Sequence, residues 1–510
     1  MEPLLISAKS SHFRDFASFF SNSIQVNIPK STENRIVSSH AILQKVLSSG
    51  KTIYGVNTGF GQLSQISIEP DQLNQLQTNL VRSHAAGVGK PISHGLVRII
   101  LYLKLLSYSK GYSGIRLELA CRLKNFINHD LLPVIPEKGS VGASGDLAPL
   151  GHMALALIGE GSVTYQGRVY KTATALKKAG LKPFQLEVKE GLSLINGTQF
   201  STALGIQTML QGENIAQCAD IVGAISVEAS LSSRNVFKES IHKIKCHPGQ
   251  RQSAKNVWRI LAGSEIVQSH SQCDKVQDPY SFRCIPHVHG ASRDTLSAAG
   301  KIINNEINSV SDNPLVMKNG DVISSGHFHA ESVAQAMDMV AISMSEFGAI
   351  SERRIHYFMK GVDGILPPFM AMNPGVESGY MIAHVTASAL ASENKTLSHP
   401  ASVDSLPTSG GQEDQVSMAP WAGQKALHIQ DNVATILAVE LIVALAAIKQ
   451  VHKKLNPSTS TKAVFEILKN KIHVNQGDRP MSQEIENVKG LILNGDLVNT
   501  INPICKLALL

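Results

Sequence analysis

Gly139-Ser140-Val141-Gly142-Ala143-Ser144-Gly145-Asp146-Leu147-Ala148-Pro149 is the stretch on which the reading of this chain turns. Gly145 has no side chain, so its amide nitrogen can approach the carbonyl carbon of Ala143 in a tight turn. Ring closure with loss of water, followed by dehydration of Ser144, gives a methylidene-imidazolone, an electrophile that no ordinary side chain provides. Three other chemistries fail on the residues. A nucleophile elbow needs glycine two positions after the serine, where Asp146 stands. A phosphate loop ends in Gly-Lys-Ser/Thr, whereas Asp146-Leu147 follow Gly145. A dinucleotide fingerprint follows a central strand, and Leu131-Leu132-Pro133-Val134-Ile135-Pro136 carries prolines that argue against one. Downstream, Pro149 in a first turn and the apolar run Ala154 to Ile158 predict a helix.

At 510 residues the chain is long enough for a large core. With 43% hydrophobic and 17% charged residues it is globular rather than disordered. The net charge of +7 is spread without a block of like charges, so no nucleic-acid surface is expected. Six cysteines (Cys121, Cys218, Cys246, Cys273, Cys284, Cys505) lack Cys-x-x-Cys pairing, which points to reduced thiols and a cytoplasmic setting. No secretory signal is read in Met1 to Ile28. The most apolar window, Val433 to Ile448, is short for a membrane span and is interrupted by Glu440. It is expected to be a buried helix, with oligomer packing covering its faces.

Apolar spacing predicts a mainly α protein, a long helical bundle with a smaller N-terminal domain carrying the Ser144 loop. Helices are expected over Leu96 to Leu106, Phe200 to Leu231, Ala330 to Arg354, Val376 to Lys395 and Leu427 to Lys454. A hairpin is expected in Gly161 to Lys171, turning at Gln166-Gly167. The expected domains are 1–195 with the loop, 196–455 as the central bundle, and 456–510 as a helical appendage.

Five further segments accompany the Ala143-Ser144-Gly145 turn: Tyr54-Gly55-Val56-Asn57-Thr58-Gly59-Phe60-Gly61, Ser83-His84-Ala85-Ala86-Gly87, Asn196-Gly197-Thr198-Gln199, Val276 to Cys284, and Ser405 to Asp414. In residue type, order and spacing they resemble the aromatic amino acid ammonia-lyases, and among these the histidine ammonia-lyase pattern. The resemblance implies a self-derived methylidene-imidazolone made from Ala143, Ser144 and Gly145, with no external cofactor. It implies elimination of ammonia from L-histidine to trans-urocanate, the first step of histidine degradation. It also implies a homotetramer whose active sites draw on more than one subunit.

By the same resemblance Tyr54 is the base near the substrate β-carbon, a role that requires its phenol pKa to fall from about 10. Arg283 is the clamp for the substrate carboxylate, as its planar fork can bind both oxygens. Tyr280 orients substrate and leaving amine, and Gln277 lies in the same segment as a binding residue. Asn196 and Gln199 resemble amides around the electrophile, Gln199 being the more ordinary structural amide. His84 and Glu413 favour a polar ring, since a carboxylate accepts a hydrogen bond from an imidazole N–H. Phe328 and Met381 resemble pocket walls. Asp146 either aids cyclisation or caps the next helix.

The sequence departs from the pattern at Ser325-Gly326-His327-Phe328-His329, at Pro286-His287-Val288, at Gln415 and at Gly411. Two His-x-His pairs, His287/His289 and His327/His329, would share a face on strands, but lack supporting ligands, so no metal is expected. The alternatives are a tyrosine ammonia-lyase, an aromatic amino acid 2,3-aminomutase, or a catalytically silent paralogue acting as a binding protein. No membrane association is expected.

Overall fold

The structure, a computed structural model, describes residues 3–7, 9–53, 55–59, 68–271, 276–361, 366–474 and 476–510. It is 60% helical. The chain divides into two units, each assembled from separated stretches: 1–207, 300–337 and 400–424 form the first, and 208–299, 338–399 and 425–510 the second. This differs from the successive segments 1–195, 196–455 and 456–510. Four of the five boundaries fall inside long helices, Gln199–Ala229, Ile285–Ile307, Glu331–Lys360 and Ala419–Val451, and the fifth follows Met381–Leu397.

Among the described residues, every strand lies in the first unit. The hairpin forms as expected: Ser162–Tyr165 pairs with Arg168–Lys171 across Gln166-Gly167, both with positive φ. Leu132–Pro133 joins as the edge strand, the place where proline costs no ladder bond. His94–Tyr108 and Leu147–Leu157 pack on Leu132–Pro133, and Thr172–Lys178 packs on the hairpin. Leu73–His84 packs on Leu147–Leu157, and Leu117–Asn128 packs on His94–Tyr108. His94–Tyr108 is buried from Gly95 onward except for Arg98, which pairs with Asp130 at 2.7 Å.

The second unit is helical. Its core is the apolar stretch of Ala419–Val451, where Val433 to Ala447 are almost wholly buried. The chain itself covers 94% of this helix's most apolar window, so the expectation that oligomer packing is needed there is corrected. The buried ion groups of this unit include those of Glu440 and Asp220. Arg354 donates to Glu440 at 2.5 and 2.8 Å, and Ser226 and Ser351 donate to the same carboxylate. Asp220 accepts from Arg293 at 2.8 Å, His289 at 2.8 Å and Ser253 at 2.6 Å. His287 and His289 lie on the helix Ile285–Ile307 rather than a strand, where residues two apart do not share a face.

Candidate active site

The first unit builds its site on the Ala143-Ser144-Gly145 turn. Gly145 sits at φ +85°, and a Cβ there would lie 2.4 Å from the backbone of Gly197, so only glycine fits. The two glycines form a parallel bridge in which the N–H of Asp146, not of Gly145, donates to the Gly197 carbonyl at 2.8 Å. On the other side, Met418 N–H donates to Val141 O at 2.8 Å and Ser417 Oγ to Gly142 O at 2.9 Å. The turn is thus held between two backbone segments. This geometry, with no side chain at 145 and the Ser144 hydroxyl engaged by a carboxylate, fits formation of the self-derived ring.

Asp146 precedes the helix Leu147–Leu157 but makes no side-chain cap to it. Its carboxylate instead accepts from Ser201 N at 2.8 Å and Ser201 Oγ at 2.7 Å, in the first turn of Gln199–Ala229. Complete burial pushes its pKa up to about 6, despite these bonds and one from Ser140.

Ala143, Ser144, His84, Asn196, Phe328 and Glu413 line one cavity of about 390 Å³. The Ser144 hydroxyl donates a short hydrogen bond to Glu413, whose carboxylate also accepts from Thr408 Oγ1 at 2.6 Å and Ser409 Oγ at 2.8 Å. Burial works against the charged form, but these hydroxyls and the nearby His84 outweigh it and keep the carboxyl below its ordinary range. The His84 Nδ1 lies 2.8 Å from the Leu80 carbonyl, which can only accept, so Nδ1 carries the proton and Nε2 the lone pair. Burial lowers the His84 pKa, keeping the ring neutral, while the Leu80 contact and Glu413 oppose that shift. The Asn196 Oδ1 is buried with no partner among the described residues.

Other expected site residues sit elsewhere. Gln277, Tyr280, Arg283 and Met381 belong to the second unit. There the Arg283 guanidinium stacks 4.6 Å from the Tyr280 ring, while its Nε is buried without a partner among the described residues. Tyr280 is 71% exposed and Met381 opens the helix Met381–Leu397. Tyr54, like Phe60 and Gly61, lies outside the described residues. Gln199 donates to Ser311 Oγ at 3.0 Å and does not line the cavity, as suits a structural amide. His327 Nδ1 lies 2.8 Å from Ser325 Oγ, and His329 Nε2 lies 3.1 Å from the Gln415 carbonyl.

Sequence reasoning assigned no role to Thr408 and Ser409, which orient Glu413, or to Lys104, which bonds to the Asn196 carbonyl. A signal existed for the lysine: it stands alone in the apolar run Leu101-Tyr102-Leu103-Lys104-Leu105-Leu106.

The pattern of the family described as aromatic amino acid lyase matches residues 12–470. A histidine ammonia-lyase of Pseudoalteromonas atlantica is 47% identical over 94% of both chains. The crystal structure of histidine ammonia-lyase from Trypanosoma cruzi is similar with a TM-score of 0.89 and 36% identity, covering 98% of this chain and 95% of that one. Tyrosine aminomutase from Streptomyces globisporus superposes with a TM-score of 0.93 and 33% identity over the whole of both chains. Matched over most of its length by the family's pattern and by relatives that share nearly half its sequence, this chain belongs to the aromatic amino acid lyase family.

Proposed function

We propose that the protein is a histidine ammonia-lyase, eliminating ammonia from L-histidine to give trans-urocanate. The observation that carries this is the meeting of Ser144, Glu413 and His84 on one cavity wall. Glu413 as a carboxylate and His84 through Nε2 are both hydrogen-bond acceptors, and an imidazole offers them N–H donors that a phenyl ring lacks. Relatives carrying the histidine ammonia-lyase name at 43–47% identity support the same reading.

The methylidene-imidazolone derived from Ala143-Ser144-Gly145 supplies an electron sink that bonds covalently to the substrate and eases loss of its β-proton. The chain's own residues bind and orient. Asn196 offers its unpaired side-chain oxygen Oδ1 to a substrate donor, and Phe328 packs beside the ring. Arg283 binds the substrate carboxylate with its fork, Tyr280 holds the amine end, Gln277 and Met381 contribute to binding, and Tyr54 takes the β-proton.

The site is proposed to be shared between subunits of a homotetramer. Val276 at 94% exposure and the apolar Ile382 and Val385 support a partner copy covering the surface near Tyr280 and Met381. Free thiols at Cys121, Cys218, Cys246, Cys284 and Cys505 suit a cytoplasmic setting.

The likeness to a tyrosine aminomutase keeps a second reading, the same chemistry on tyrosine. Incubating the purified protein with L-histidine, L-tyrosine and L-phenylalanine in parallel separates them. Urocanate absorbance with histidine alone is the expected result; turnover of tyrosine with silence on histidine would overturn the choice of substrate.

A further inference from the structure

Lys104 is 1% exposed, on a helix whose neighbouring residues are apolar. An ammonium is costly to bury and is normally matched by a carboxylate. Here its hydrogen bonds go to backbone carbonyls instead: Ser193 O at 2.9 Å and Asn196 O at 2.5 Å. Both belong to the C-terminal end of Glu190–Ile195, where carbonyls lack helical partners and favour a cation. The next residue is Gly197, whose carbonyl receives the Asp146 N–H and whose backbone lies where a Gly145 side chain would go. Asn196 itself lines the cavity. A hydrophobic side chain of the same length would fill the space, so packing alone does not explain an ammonium there.

We propose that Lys104 is a positioning residue for maturation of the electrophile, fixing the Asn196-Gly197 backbone as the rail against which the Ala143-Ser144-Gly145 turn is held. Ring formation joins Gly145 N to the Ala143 carbonyl carbon. The carbonyl oxygen leaves as water with the amide hydrogens of Gly145 and Ser144, giving a C=N bond. Ser144 then loses its Cα hydrogen and hydroxyl as a second water, giving the methylidene. No oxidant is needed, and the step is limited by how closely Gly145 N is held to Ala143. Releasing the Asn196 carbonyl lets Gly197 move away from Gly145 and removes that support. Burial pushes the Lys104 ammonium down to about 7 against the pull of Asp312, in keeping with a site built from dipoles.

The inference rests on the reading of Ala143-Ser144-Gly145 as ring-forming. The test is the mass of the peptide spanning residues 143–145 in the unaltered protein, Lys104→Met, Lys104→Gln and the packing control Leu105→Ala, with unfolding temperature followed in each. The unaltered protein should lack two waters; if it retains both, the ring reading itself fails. Lys104→Met should fold yet keep both waters in most chains. Lys104→Gln, which retains N–H donors, should mature in part. Leu105→Ala should melt earlier but mature fully. A folded Lys104→Met protein with complete rings, failure of both Lys104 variants to fold, or equal loss of rings in Leu105→Ala would overturn the assignment.

Discussion

Each unit buries charge in direct ion pairs, and the first also buries charge without one beside the Ala143-Ser144-Gly145 turn. In the second, Arg354 and Arg293 each meet a carboxylate directly, and serines complete the remaining hydrogen bonds. The Asp220 carboxyl is held well below its ordinary range, because Arg293 and His289 outweigh the effect of its burial. In the first unit Lys189 likewise meets Asp312 at 3.1 Å, but Lys104 and Asp146, equally buried, are held by backbone groups and hydroxyls, and their pKa values move toward neutrality. The first pattern fixes a helical core. The second leaves buried groups with shifted pKa values beside the Ala143-Ser144-Gly145 turn, which is where perturbed groups and chemistry tend to coincide.

The largest effects should separate the units cleanly. Ser144→Ala removes the hydroxyl that leaves as water, so urocanate formation should vanish while circular dichroism and unfolding temperature stay near those of the unaltered protein. Glu440→Gln in the second unit does the reverse. It strips the buried Arg354 of its charge partner, costing roughly 3–5 kcal/mol in chemical denaturation, while the ring still forms in the folded fraction. Loss of the ring with unchanged stability in Glu440→Gln would break the division of roles.

A smaller effect comes from Asp146. Its folded pKa of about 6 lies above the ordinary 3.8, so the protonated form is the one favoured by folding. Its stability contribution is full below about pH 4 and is lost as pH rises through 6, on the order of 3 kcal/mol at full extent. Denaturation curves of the unaltered protein and Asp146→Asn between pH 4 and 7 should therefore diverge in favour of Asn as pH rises. Parallel curves would mean the carboxyl is not perturbed. The smallest change is Glu413→Gln, which swaps a charged acceptor for a neutral one. It should lower kcat/KM for histidine by about 10- to 100-fold, the worth of a charge-assisted hydrogen bond, with the ring still present by mass. An unchanged kcat/KM would remove Glu413 from substrate recognition.

The long helices and the hairpin at 161–171 were legible because periodicity and turn residues are local signals. Helix ends were less so. Ala419–Val451 begins eight residues before Leu427, since Pro420 is tolerated in a first turn. Met381–Leu397 begins after Val376, because residues 376–380 turn rather than coil. The interleaving of the units was not legible, as it depends on 300–337 and 400–424 returning to the first unit. At the site, His84, Ser144, Asn196, Phe328 and Glu413 were legible from their motifs and lie on one cavity. The bond from Ser201 to Asp146 spans 55 residues and leaves no local trace, which is why the nearer helix looked like the one Asp146 would cap.

The most direct test of the central claim is the mass of the 143–145 segment in the unaltered protein after incubation with a small nucleophile. The account predicts a segment two waters light that gains the mass of one nucleophile at the carbon derived from Ser144. A segment of full mass that takes up nothing would contradict it.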